Sequence, residues 1–256
     1  MEDRNVKPEL GRRSFLVQGL VAASAATIAP GVMVAMASGK GEGASSEHRW
    51  GLLVDTDKCA DGCTSCVDAC NHENGIDLHK MPEGQSPAKW EQQRPQWIRK
   101  VKLKDKETGK VTNLPMMCQH CEFPPCVDVC PTGASFKRVD GIVMVDRHLC
   151  IGCRYCMMAC PYKARSFIHE DVLEQLTRAP RGKGCVESCN LCAHRVDAGD
   201  ETTACAEACQ KEGHQAILFG DLKDPNSAIS VALRERSSHQ IRADLELNTG
   251  VRYTDI

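Results

Sequence analysis

Aromatic rings are scarce in this chain: five Phe, three Trp and three Tyr in 256 residues. A core so poor in large rings needs something else at its centre. Charge of one sign is lacking too, with 32 Lys+Arg against 34 Asp+Glu, which excludes the broadly basic surface of a nucleic-acid binder. There is no H-E-x2-H, no glycine-rich phosphate loop after a strand and no G-x-S-x-G, so no catalytic site of its own is expected. No C-x2-C is followed by His, which excludes covalent haem attachment. Hydrophobic residues make up 42% of the chain, too many for disorder at near-neutral charge. Only residues 16–37 form an apolar run approaching a membrane span.

That run follows Arg12 and Arg13 and ends in Ala35-Met36-Ala37. Positive region, apolar region and small-residue cleavage site together read as a twin-arginine export signal over 1–37. The competing reading is a retained anchor. Either way, a periplasmic location or the outer face of the cytoplasmic membrane is expected, with further membrane contact made through partners.

What the chain has in abundance is cysteine, seventeen in all. An odd count cannot close a disulfide framework. The cysteines fall in four groups: Cys59, Cys63, Cys66, Cys70; then Cys118, Cys121, Cys126, Cys130; then Cys150, Cys153, Cys156, Cys160; and Cys185, Cys189, Cys192 with Cys205, Cys209. The third group, followed by Pro161, is the C-x2-C-x2-C-x3-C-P run that holds [4Fe–4S] clusters in pairs. Three thiolates on one loop reach three irons, and the fourth, about a helical turn further on, ligates the neighbouring cluster. A tetrahedral zinc site has no place for the third cysteine of such a loop.

Applied throughout, the swap rule joins Cys118, Cys121, Cys126 to Cys160, and Cys150, Cys153, Cys156 to Cys130. The outer groups then pair across the chain: Cys59, Cys63, Cys66 with Cys209, and Cys189, Cys192, Cys205 with Cys70. Four [4Fe–4S] clusters are expected, or three if one outer site holds none, because Cys70 and Cys209 lack a following Pro. Cys185 is either a spare thiol beside the sites, the favoured reading, or an alternative ligand. The metal–thiolate bonds would replace much of the missing aromatic core.

Segments 118–136 and 150–167 align through their cysteines, the Pro and a closing Ser-Phe. Between them, Lys137 to Val145 reads as a hairpin with an Asp140-Gly141 turn. Residues 97–114 read as a second, surface hairpin. Leu52–Asp55 and Val143–Asp146 read as short strands feeding cluster loops, and Asp224-Pro225 opens a capped helix with Pro at its first turn. The fold class is therefore α+β: tandem bacterial 2[4Fe–4S] ferredoxin-like modules with short hairpins and loop-rich cluster-binding segments. Its parts are the signal (1–37), the first motif with a hairpin insertion (38–114), the inner module (115–170), and the fourth motif with a helical tail (171–256) that pairs with 59–70.

The stretches Gln119–Cys121, Pro131–Ala134 and Phe219–Ser227 resemble the four-cluster ferredoxin-like subunits of membrane-linked molybdopterin and polysulfide-, nitrite- or DMSO-reductase-type complexes. With the export signal and segment 147–167, the chain looks most like one branch, the periplasmic iron–sulfur subunit of the Dsr transmembrane complex of dissimilatory sulfur metabolism. The resemblance implies an electron-transfer component working with an NrfD-type quinone-interacting membrane protein and, in the Dsr case, a multihaem c-type cytochrome. It also implies the same pairing of first with fourth and second with third groups. A free-standing periplasmic ferredoxin is the alternative. Of the other residues near the motifs, His120 is expected to face solvent, the competing reading being a hydrogen bond that tunes a cluster. Arg154, Lys163 and Arg165 should favour the reduced state of a nearby cluster unless they are plain surface charges, Met157 and Met158 should pack in the core, and Ile229 and Leu233 would suit a docking surface or equally pack against the body.

Overall fold

The computed structural model describes residues 43–256; the signal expected over 1–37 lies outside them. In chain order the elements are β1 (Trp50–Asp55), α1 (Ser65–Glu73), α2 (Pro87–Gln93), β2 (Arg99–Lys104), β3 (Val111–Met116), α3 (Pro125–Asp128), β4 (Ser135–Lys137), β5 (Val143–Val145), α4 (Tyr155–Ala159), β6 (Arg165–Phe167), β7 (Val186–Ser188), α5 (Ala193–Asp197), α6 (Ala204–Lys211), β8 (Ile217–Asp221), α7 (Ala228–Glu235) and β9 (Val251–Thr254). All are short, because loops holding thiols break the chain every few residues.

The apolar run of β1 forms the centre of a three-stranded sheet of order β8-β1-β9. Leu52 stands opposite Phe219 in antiparallel β8 and opposite Val251 in parallel β9. Strands bordered on both sides and covered on both faces want a continuous hydrophobic run, and Leu52, Val54, Val251 and Tyr253 are all buried to within 1%. Three hairpins, β2–β3, β4–β5 and β6–β7, complete the strand set. The stretch 97–114 is not wholly a surface feature, since Ile98 ahead of β2 and Leu114 in β3 are buried.

Helix α7 starts later than the Asp-Pro signal suggests. Its cap is Ser227, whose hydroxyl accepts from the Ser230 N–H at 3.2 Å, and Pro225 lies in the preceding turn. A capping hydroxyl satisfies one of the four free N–H groups of a helix start. Nor is this helix a docking surface: Ile229 is fully buried beneath Gly220, where a Cβ would come within 2.7 Å of it, and Leu233 is half-buried. Among the described residues no helix is long and apolar enough to cross a membrane.

Cysteine takes the place of aromatic rings in the core. Cys66, Cys70, Cys118, Cys121, Cys126, Cys156, Cys160, Cys189, Cys205 and Cys209 belong to one buried cluster with Leu52, Trp97, Met117, Ile142, Leu191 and Tyr253.

Candidate metal centres

Helix spacing explains how a C-x3-C pair divides its thiols. Residues four apart lie on one helical face, and Cys66 and Cys70 on α1, like Cys205 and Cys209 on α6, are buried on the faces where these two helices meet. Each pair nevertheless splits. Cys59, Cys63, Cys66 and Cys209 line one hollow, site I. Cys130, Cys150, Cys153 and Cys156 line another, site IV, at the opposite end of the thiol array.

The remaining sulfurs form two denser groups. Cys70 is close enough to Cys189, Cys192 and Cys205 for their charges to act on it; these form site II. Cys118 and Cys121 each feel Cys126 and Cys160 in the same way; these form site III. Adjacent groups feel each other's charge in turn, through Cys66 with Cys205, Cys189 with Cys118, and Cys126 with Cys156. The four sites therefore stand in a row, I–II–III–IV. Sites II and III are wholly buried, while Cys59 and Cys63 at one end and Cys130, Cys150 and Cys153 at the other reach the surface region.

A repeated turn carries all four loops. The residue before the second cysteine of each motif has left-handed backbone: Gly62 (φ +73°), His120 (+43°), Gly152 (+72°) and Leu191 (+51°). For His120 and Leu191 this is strained, and such strain persists only where the surroundings demand it, commonly at functional sites. At Gly152 a side chain is excluded outright, because a Cβ would collide with the Gly184 carbonyl.

Burial pushes the Cys66, Cys121 and Cys192 thiols up to about 12, and Cys70, Cys118 and Cys189 well above the usual thiol range. Without a cation such groups stay protonated; a coordinating metal deprotonates a thiol outright. The surroundings are built for sulfur carrying negative charge. Ala216 N–H donates to Cys209 Sγ (3.2 Å), Ser135 N–H to Cys130 Sγ (3.3 Å) and Val186 N–H to Cys150 Sγ (3.4 Å). At Cys130 burial raises the pKa, but the donors from Ser135, Thr132 and Ala134 outweigh it and the thiol lies below its ordinary value. Lys100 Nζ, bonded to the carbonyls of Ala60 (2.9 Å) and Cys63 (2.7 Å), brings positive charge to site I, where burial otherwise raises Cys59. No three His, Cys, Asp or Glu side chains among the described residues are arranged for a single metal ion; a cubane holds its thiolates farther apart than one ion does. The donor set, hollows and N–H···S bonds fit [4Fe–4S] clusters.

Cys185 stands apart from the motif whose spacing it copies. Its Sγ donates to the Arg147 carbonyl (3.3 Å) and its charge neighbour is Cys150 of site IV. His120 does not face solvent: it is 1% exposed, its Nδ1 accepting from the Val143 N–H at 3.0 Å. The local sequence could not reveal this, because the cover comes from Gly250 and β5, more than 20 residues away. His194 is bonded to Glu73 (2.7 Å). Met157 packs against the core, whereas Met158 is 73% exposed. Of the three basic residues near the third motif, Arg154 stacks on the Phe167 ring at 3.7 Å, Lys163 is exposed and only Arg165 is buried.

Larger open clefts lie away from the sulfurs. One is lined by Glu73, Arg195 and Glu207, but these side chains pair with each other, Arg195 reaching Glu73 at 2.6 Å and Glu207 at 2.7 Å. They brace α1 against α5 and α6 around site II.

Known proteins resemble this chain. The 4Fe–4S dicluster domain matches twice, over residues 58–134 and 109–221. The chain is 41% identical to the Hdr-like menaquinol oxidoreductase iron–sulfur subunit 1 of Archaeoglobus fulgidus, covering 96% of this chain and 98% of that protein. It is 34% identical to a tetrathionate reductase subunit of Salmonella typhimurium (90% and 81% covered) and 38% identical to the protein NrfC of Escherichia coli (77% and 76%).

Proposed function

Since this chain belongs to the ferredoxin-like, 4Fe–4S dicluster family of iron–sulfur subunits of membrane oxidoreductase complexes, we propose that its sixteen motif cysteines ligate four [4Fe–4S] clusters in the sets I to IV. Each cluster, when bound, takes up and releases one electron. The chain's own part is to hold the sites in a row, keep water from the inner two and screen their charge with N–H donors, Lys100 and Arg165. The observation that carries the reading is the reciprocal exchange of fourth cysteines. On α1 the chain passes from site I to site II, and on α6 from site II back to site I; Cys126–Cys130 and Cys156–Cys160 repeat this between sites III and IV. The module boundaries at 114/115 and 170/171 belong to this proposal.

The two ends of the row differ in character. Beside site IV, Leu149 (52% exposed), Ile151 (67%), Tyr155 (55%) and Met158 (73%) make an apolar rim around exposed Cys153. Apolar area on this scale marks an interaction surface, and it suits the NrfD-type quinone-interacting membrane subunit. Beside site I, the hairpin carries exposed Lys102, Lys104 and Lys106, which suit an acidic redox partner such as a multihaem c-type cytochrome. The whole would work at the periplasmic face after twin-arginine export, in the Dsr-type complex of dissimilatory sulfur metabolism. The names of the relatives equally support a tetrathionate-, nitrite- or DMSO-reductase-type assembly.

Iron and acid-labile sulfide on anaerobically purified protein test the core of the proposal: about sixteen of each per chain are expected. Stoichiometric zinc without sulfide in an iron-replete preparation overturns it. For the docking end, an Ile151→Glu, Met158→Glu variant should keep its iron but lose co-purification with the membrane subunit; unchanged co-purification refutes the assignment of that face.

A further inference from the structure

One buried cation has no carboxylate to answer it. Arg165, the first residue of β6, is 5% exposed. Its Nη2 donates to Cys126 Sγ at 3.0 Å, and its charge also acts on the Cys156 thiol. Cys126 belongs to site III and Cys156 to site IV. The groups whose charge acts on Arg165 are Cys126, Cys118 and Cys156. Its Nη1 is buried and has no partner among the described residues. The buried Arg181, by contrast, is met by Glu187 at 2.6 Å, with both side chains 1% exposed. An unanswered guanidinium in a protein interior costs several kcal/mol unless negative charge is brought to it. Here only sulfur is in position to supply that charge.

A second buried donor lies beside it. His120 accepts the Val143 N–H at Nδ1, which leaves the ring proton on Nε2, and that nitrogen is buried without a partner among the described residues. His120 sits between two thiols of site III and within range of the Arg165 charge.

We infer that Arg165 is the residue that sets the potentials of sites III and IV together, donating an N–H···S bond to Cys126 of site III and placing one fixed positive charge beside Cys156 of site IV, with His120 as an accessory donor on site III. The inference rests on the cluster assignment above. An electron arriving on either site adds one negative charge, and a buried cation bonded to one and acting by charge on the other stabilises that added charge at each. It thereby offsets the repulsion that an electron on one site exerts on an electron at the next. Hydrogen bonds to sulfur and nearby net charge are the levers by which a protein moves such potentials. Arg suits the position because its planar fork fixes one N–H on Cys126 and spreads its charge over the group, whereas Lys offers a single point of charge.

The test is a reductive titration of the anaerobic holoprotein, followed by electron paramagnetic resonance, with iron and sulfide counted on the same samples. Arg165→Gln should make two of the four clusters about tenfold harder to reduce, a shift of about 59 mV downward for a one-electron couple, and leave the other two unmoved. Arg165→Lys should recover part of the shift. If Arg165→Gln retains all its iron and no potential moves, the inference is overturned while the cluster assignment stands. If the wild-type protein lacks iron and sulfide, the assignment itself has failed. Should Arg165→Gln not assemble, native protein carrying 15N-guanidino arginine gives the answer. Pulsed resonance on a reduced cluster should then show an arginine nitrogen coupling that is absent in Arg165→Lys. No such coupling in the native protein refutes the contact.

Discussion

Helix α6 offers a direct test of the exchange between sites I and II. Cys205 and Cys209 are one turn apart on the same face, about 6 Å along the axis at 1.5 Å per residue. They are equally buried, at 6% and 7% exposure. By local geometry alone they would serve one site. The fold separates them: Cys205 neighbours Cys189, Cys192 and Cys70, while Cys209 lines the hollow of Cys59, Cys63 and Cys66. Replacing either by Ala removes one ligand from one site, so each single variant should lose up to about four irons of about sixteen. The sites are distinct, so the losses should add, and the double variant should lose twice what a single one loses. Iron and sulfide analysis gives the count, and spin quantitation after reduction identifies which signal disappears. Cys209→Ala should leave sites II to IV reducible, whereas Cys205→Ala should break the row between sites I and III. A double variant that loses no more than either single variant would falsify the exchange and place both thiols on one cluster.

Arg181→Ala leaves Glu187 charged and buried, so it should destabilise the holoprotein by about 3–5 kcal/mol, read from the shift of its denaturant midpoint; an effect below about 1 kcal/mol contradicts the buried bidentate pairing. Gly152→Ala forces a Cβ into the Gly184 carbonyl, and should lower iron occupancy at site IV while sparing the other signals. His79 is 7% exposed with both ring nitrogens unpartnered among the described residues, and burial, helped by the Arg181 charge, holds its pKa below the usual value. The unfolded chain therefore binds a proton near pH 6.5 that the native state refuses, and stability should be full above that pH and fall as pH drops below it. Thermal midpoints between pH 5.5 and 7.5 should show this slope in the wild type and a flatter one in His79→Phe, which keeps the edge contact with Trp90; parallel slopes refute it.

Much of this protein was determined by short-range sequence. The spacing of Cys150, Cys153 and Cys156 acts within a single loop, and Asp140-Gly141 ahead of the apolar run Ile142–Val145 specifies a hairpin wherever it lies. The continuous run Leu52–Val54 needs two-sided cover in any fold. The positions that misread were those whose surroundings come from afar. Val251–Thr254 carries no strong strand signal, yet it pairs in parallel with β1 across some 200 residues of chain and buries Tyr253 completely. His120 and Arg165 look like loop and surface residues until β5, Gly250 and the paired cysteine loops close over them. Ile229 turned inward because Gly220 leaves room above β8, and Met158 turned outward because Cys156 and Cys160 take the inner face of its turn. Spacing depends on neighbours in sequence, and that the sequence determines alone; burial is a sum over distant segments, and only the tertiary structure decided it.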